Sequence, residues 1–202
     1  MQKENRNYKK SIPHRDSSWF IIICEGAKTE VEYFTYFHKL KQQRIKIKVV
    51  PPSDNKSAPK WVLDKAVKES ENLNFNNYDQ LWMVMDIDRW ELKDLHTIQN
   101  ECDKIVNWNL AISNPCFEIW LLAHAKDLET FSSQSGRELK RHFGLLKDEG
   151  LFPKNPLQNL HLAIERASKA DNSPHFIPER GRTKVYLLAQ ELIKRIGEHH
   201  FK

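Results

Sequence analysis

Phe20-Ile21-Ile22-Ile23-Cys24-Glu25-Gly26 and Leu81-Trp82-Met83-Val84-Met85-Asp86-Ile87-Asp88 decide the fold. Each is a short apolar run that ends in carboxylates. Continuous apolar runs of this length read as strands buried on both faces, the pattern of a parallel sheet. Open α/β sheets bind ligands in the crevice beyond the carboxyl ends of their strands. Two such strands side by side place Glu25, Asp86 and Asp88 in one crevice. A strand residue and its second neighbour point the same way, so Asp86 and Asp88 can share one ion. Oxygen ligands without histidine or thiol suit Mg²⁺ or Mn²⁺ rather than zinc. The pattern predicts a divalent-metal site acting on phosphates.

Working outward, strands are expected at Trp19–Glu25, Ile45–Val50, Leu81–Asp86 and Asn109–Ile112. Helical patterning separates them: from near Thr29, over Lys60–Leu73, and over Leu92–Asn107. A βαβαβαβ order means a parallel four-stranded sheet flanked by helices. Ile45, Ile47 and Val49 alternate with other residues, two of them lysines, which suits a strand near an edge. Thr29 with Glu32 has the form of a capping box. Asn114 followed by Pro115 has the form of an N-cap and first helical residue. The loop Pro51–Pro59 follows a strand and is expected to overhang the site. Beyond Ala125 the pattern turns helical, at Gly136–Lys147, Leu157–Ala170 and Thr183–Ile196. Three parts are therefore expected: a basic flexible arm over 1–18, an α/β domain over 19–126, and an α-helical C-terminal extension over 127–202.

The chain of 202 residues carries a net charge of +5, unevenly spread. Residues 1–18 sum to +3, residues 19–134 to −3 and residues 135–202 to +5. An acidic middle between basic flanks fits a metal–carboxylate site served by surfaces that attract a polyanion such as nucleic acid. The three cysteines are far apart, with no CxxC pair, so neither disulfides nor zinc are expected, and a cytoplasmic location fits. No apolar run approaches the roughly 18 residues of a membrane span, so no membrane partner is expected.

Haloacid-dehalogenase-like phosphatases carry their Asp-x-Asp on the first strand. Here the first strand ends in Glu25, and the pair comes on the third. That order resembles a Toprim domain, and the resemblance is sharper to the RloB-like family. It rests on Ile23-Cys24-Glu25-Gly26-Ala27-Lys28-Thr29-Glu30, on Asp86-Ile87-Asp88, and on Ser113-Asn114-Pro115-Cys116-Phe117-Glu118-Ile119-Trp120-Leu121-Leu122-Ala123-His124. Thr183-Lys184-Val185-Tyr186 is similar to the start of the family's closing helix. The resemblance implies a Toprim-like sheet and a place in prokaryotic restriction and abortive-infection systems, often beside an ATPase partner.

The leading expectation is a divalent-metal-dependent nuclease for DNA or RNA, an effector of anti-phage defence. Glu25, Asp86, Asp88 and Glu118 would be catalytic. Glu25, Asp86, Asp88 and Glu30 would bind metal, although Glu30 also reads as a solvated first-turn acid favoured by the helix dipole. Lys28, Arg180, Arg182 and Lys184 would contact substrate phosphates. Trp90 is the tryptophan placed to stack on a base. His124 falls on the Phe117–Leu121 face and reads as a core histidine. The competing expectations are a non-catalytic module for nucleic-acid binding or recruitment and nucleotidyl or phosphoryl transfer on a small nucleotide, although the sequence shows no glycine-rich phosphate loop. DNA and RNA both stay open as ligand, and so does the oligomeric state.

Overall fold

A computed structural model of the chain describes residues 17–40, 44–52, 59–88, 90–171 and 173–201. Strands β1 (Ser18–Cys24), β2 (Ile45–Val50), β3 (Gln80–Asp86) and β4 (Trp108–Asn114) are mutually parallel, in the order β2-β1-β3-β4. A fifth strand, β5 (Arg182–Thr183), lies antiparallel beside β4. Among the described residues, the expected four strands are therefore corrected to five. β5 has only two residues and no apolar run, so no periodicity announces it. It is held by the pairing of Ser113 with Thr183 and Asn114 with Arg182, and by a 2.9 Å hydrogen bond between the Ser113 and Thr183 hydroxyls. The turn into it needs Gly181, whose φ is +76° and where a Cβ would lie 2.6 Å from the Phe131 carbonyl oxygen.

Helices α1 (Thr29–His38), α2 (Pro59–Asn72) and α3 (Leu92–Cys102) connect the parallel strands. α4 (Glu118–Ala123), α5 (Gly136–Asp148), α6 (Leu160–Ala170) and α7 (Val185–Ile196) follow. Alternate residues of the inner strands enter opposite cores, as a period of two demands. Phe20, Ile22, Cys24 and Val84 pack with Phe34 of α1, Trp120 of α4, Leu160 of α6 and Leu188 of α7. Ile21, Ile23, Met83 and Met85 pack with Val62 and Ala66 of α2 and Leu95 and Ile98 of α3. Both faces of β1 are thus sealed, and Ile21, Ile22 and Ile23 are fully buried. Each is stabilised by about 1.5–3 kcal/mol relative to exposure. β2 lies at the sheet edge, and its central positions are less completely covered.

Two helix starts differ from expectation. Thr29 is the first residue of α1, so its hydroxyl is not at the capping position, and Lys28, which is, makes no side-chain cap. Among the described residues, a capping box forms at α5, between Ser135 and Glu138. Asn114 ends β4 instead of capping a helix, and α4 begins only at Glu118. The Asn114 amide donates to the Pro178 carbonyl at 2.9 Å, and its own carbonyl accepts from Gly181 at 2.8 Å. The Asn114–Pro115 peptide is cis. Residues 1–16 of the expected basic arm and residues 53–58 of the expected overhanging loop lie outside the described residues.

The strand order fixes where a ligand can sit. From β1 the chain moves outward to β2, then crosses back to β3 on the other side of β1. α1 and α2 consequently cover opposite faces. The carboxyl ends of β1 and β3 flank the point where the winding reverses, the usual crevice of an open α/β sheet. Among the described residues, no helix is long and apolar enough to cross a membrane.

Candidate functional site

Glu25 follows β1 directly, and Asp86 ends β3, so the parallel register brings both to this crevice. The Glu25 carboxylate accepts from the backbone N–H of Asp86 at 3.0 Å and from the Trp90 indole N–H at 2.8 Å. Gly26 lets α1 turn in close: a Cβ there would collide with the Glu30 carboxylate. Glu30, in the first turn of α1, is buried as a result. Glu118 opens α4 and is also buried. Asp88 lies past the end of β3 and is exposed. Its N–H donates to the Pro115 carbonyl at 3.2 Å, and the start of α5 backs its carboxylate, since a Cβ on Gly136 would lie 3.4 Å from Oδ2.

Electrostatically these groups form one cluster. Burial pushes the Asp86 carboxyl well above the usual carboxylate range, and Glu30, Glu25, Glu118 and Asp88 add to the rise through their charge. Burial pushes Glu25 up to about 7, with Glu30 and Asp88 contributing, against the two hydrogen bonds that favour its charge. Glu30 is raised by burial and by Glu118, and is opposed by hydrogen bonds from its own N–H and that of Gly26 and by Lys140 of α5. Burial and Glu118 raise the Cys116 thiol, which is hydrogen-bonded to that glutamate, so it is a protonated neighbour instead of a nucleophile.

The residues fit a hard cation in chemistry. The donors are all carboxylate oxygens. Asp86 Oδ1 is sealed from solvent and has no hydrogen-bond partner, in the middle of four other acids. A buried acceptor left in that state is costly unless something positive meets it. The side-chain positions are less complete. Among the described residues, no three acidic, histidine or cysteine side chains stand together as one ready coordination set. Glu25 in particular is turned to its two hydrogen-bond donors.

The other expected site residues divide. Lys28 is exposed in the turn between Glu25 and Glu30. Arg180 is exposed and donates to the Gln134 carbonyl at 3.1 Å. Arg182 and Lys184 are buried and engaged internally, which does not suit the phosphate contact expected of them. Arg182 pairs with Glu129 at 3.0 Å and donates to the Leu128 carbonyl. Lys184 pairs with Asp171 at 2.5 Å and donates to the Ser173 carbonyl at 2.6 Å. Ser113 and Asn114 are used in the β4–β5 pairing. His124 is fully buried, lies 3.2 Å from the Tyr33 hydroxyl, and is pushed by burial down to about 3, hence neutral. Three neighbours of the acids were not anticipated as such. Trp90 and Cys116 stood beside the motifs, while Lys140 lies on a distant helix with no local signal.

A family model described as RloB-like protein matches residues 20–192. No curated protein and no solved structure matches the chain.

Proposed function

The chain belongs to the RloB-like family, and we propose that its acidic crevice is the active site of a divalent-metal-dependent nuclease of Toprim type. The observation that carries the reading is Asp86: a sealed, unpartnered carboxylate oxygen at the switch point of the sheet, surrounded by Glu25, Glu30, Asp88 and Glu118. Asp86, Glu25 and Asp88 would hold Mg²⁺ or Mn²⁺, with Glu30 or Glu118 serving a second ion. When bound, such a cation activates water and stabilises charge on a phosphodiester.

The protein's own groups have distinct tasks. Trp90 and the Asp86 N–H fix the Glu25 carboxylate. Glu25, titrating near 7 without cation, would release its proton as a cation binds. Lys28, exposed beside the crevice, would neutralise substrate phosphate. The family resemblance supports a role in prokaryotic anti-phage defence alongside an ATPase partner. The second reading, a non-catalytic nucleic-acid-binding or recruitment module, is favoured by one observation: both Glu25 oxygens are already engaged.

Incubation with single-stranded and duplex DNA and RNA, in Mg²⁺ or Mn²⁺, separates the two. The nuclease reading expects cleavage that Asp86→Asn lowers by about a hundredfold or more, since even ligand-supporting residues cost 10–100-fold. Cleavage equal in Asp86→Asn, or absent with metal and ATPase partner supplied, leaves the binding module.

A further inference from the structure

A groove of about 700 Å³ runs along the outer side of α1, against α5 and the Phe152–Pro156 segment that leads into α6. Four lysines line it: Lys28 and Lys39 at the two ends of α1, Lys147 on α5, and Lys154. All four are exposed, and one acid, Glu32, stands among the lining residues. The rings of Tyr36, Phe143 and Phe152 lie between them, each partly exposed. Phe143 and Phe152 meet edge to face at 5.0 Å. Lys39 lies 5.3 Å from the Tyr36 ring centre, and Lys147 lies 5.5 Å from that of Phe143. Tyr36 is fixed further by its hydroxyl, which donates to the Lys154 carbonyl at 3.0 Å.

We infer that this groove binds single-stranded nucleic acid and leads it to the acidic crevice. Lysines along a groove track a phosphate backbone, and partly exposed rings between them offer faces on which bases stack. A duplex hides its base faces in the stack and cannot use such rings. The direction follows from Lys28, which lines the groove and sits in the turn between Glu25 and Glu30. From Lys28 to Lys39 the groove follows α1 for about 16 Å at 1.5 Å per residue, enough for a few nucleotides. The lysines are net attractive where the acids are repulsive, so the strand is held beside the crevice by contacts that need no metal. The inference rests on the nuclease reading only for the strand's destination, not for its binding.

The test is fluorescence anisotropy of labelled oligothymidylate and oligouridylate with the full chain in EDTA, over a range of salt. Lys39→Glu with Lys147→Glu, both surface changes, should weaken binding by about tenfold or more and make the log–log salt slope shallower by about 1.4. Phe143→Leu, which keeps apolar bulk and removes the ring, should weaken it by about tenfold. Lys93→Glu with Lys104→Glu, of equal charge change on the α3 side, should leave affinity within about twofold. Circular dichroism confirms that each variant is folded. A duplex of the same length should bind more weakly and be indifferent to Phe143→Leu. The inference is overturned if the groove variants bind like the parent, if the α3-side variants lose as much, or if duplex or polyglutamate competes as well as the single strand. Groove-dependent binding without Asp86-dependent cleavage removes the nuclease reading and leaves the groove standing. Asp86-dependent cleavage with unchanged binding in the groove variants does the reverse.

Discussion

The crevice acids and the Arg182–Lys184 segment both hold charge out of water, and they do so in opposite ways. Lys184 faces Asp171 and a main-chain carbonyl, and Arg182 faces Glu129 and further carbonyls. Each cation there has a counter-charge, buried in Asp171 and exposed in Glu129. Asp86 faces four carboxyl groups, whereas Asp171, which also keeps one sealed oxygen without a donor, meets the Lys184 ammonium through its other oxygen. Compensated buried charge belongs to the architecture, because removing one member leaves the other uncompensated. Uncompensated like charge is held together by the rest of the fold and points to a ligand of opposite sign. Sign and partner, more than exposure or charge alone, separate a structural ion pair from a site.

Removing one charge from each region should have opposite effects on stability, the larger of them at Lys184. Lys184→Met leaves Asp171, whose side chain is 1% exposed, buried without its cation. Urea denaturation should show a loss of about 3–5 kcal/mol. If Lys184→Met is neutral, the Lys184–Asp171 pair does not hold the fold together.

The pH response should be the next largest effect. Glu25 titrates near 7 in the folded protein against an ordinary value of 4.5. The fold thus prefers its protonated form. That contribution to stability is complete below about pH 4.5 and is lost as pH rises through about 7. Denaturation in EDTA across this window should show stability falling with pH from this group, and Glu25→Gln should flatten that component. Saturating Mn²⁺ should oppose the fall if, as proposed, it binds the deprotonated carboxylates. No difference between Glu25→Gln and the parent would remove Glu25 from the repulsive cluster.

The smallest expected change has the opposite sign to that of Lys184→Met. Asp86→Asn relieves repulsion, and in EDTA at pH 8 it should stabilise the protein by about 1 kcal/mol, as changes at functional sites commonly do. A loss of several kcal/mol would mean that Asp86 serves the fold instead.

The sequence made the sheet legible because its inner strands are unbroken apolar runs, and the carboxylates at their ends were legible for the same reason. β5 was not, since two polar residues become a strand only through pairing with Ser113 and Asn114. Thr29–Glu32 carries the letters of a capping box, but the helix begins one residue too early for the box to close. Arg182 and Lys184 follow a glycine in a proline-bearing loop, where exposure is the natural expectation. Their burial depends on Glu129 and Asp171, which sequence distance hides. Trp90 and Cys116 stood next to the acids in the chain, yet nothing local shows an indole turning back to Glu25 or a thiol reaching Glu118.

If the crevice acids, offset only in part by Lys140, take up a divalent cation as proposed, titration calorimetry with Mn²⁺ will register it. The parent protein at neutral pH should bind Mn²⁺ saturably and release protons as it does so. Asp86→Asn should lose most of that heat, while Lys65→Gln, whose charge pairs with Glu69 away from the crevice, should retain it. Binding by Asp86→Asn as tight as that of the parent would mean that the crevice does not hold the cation.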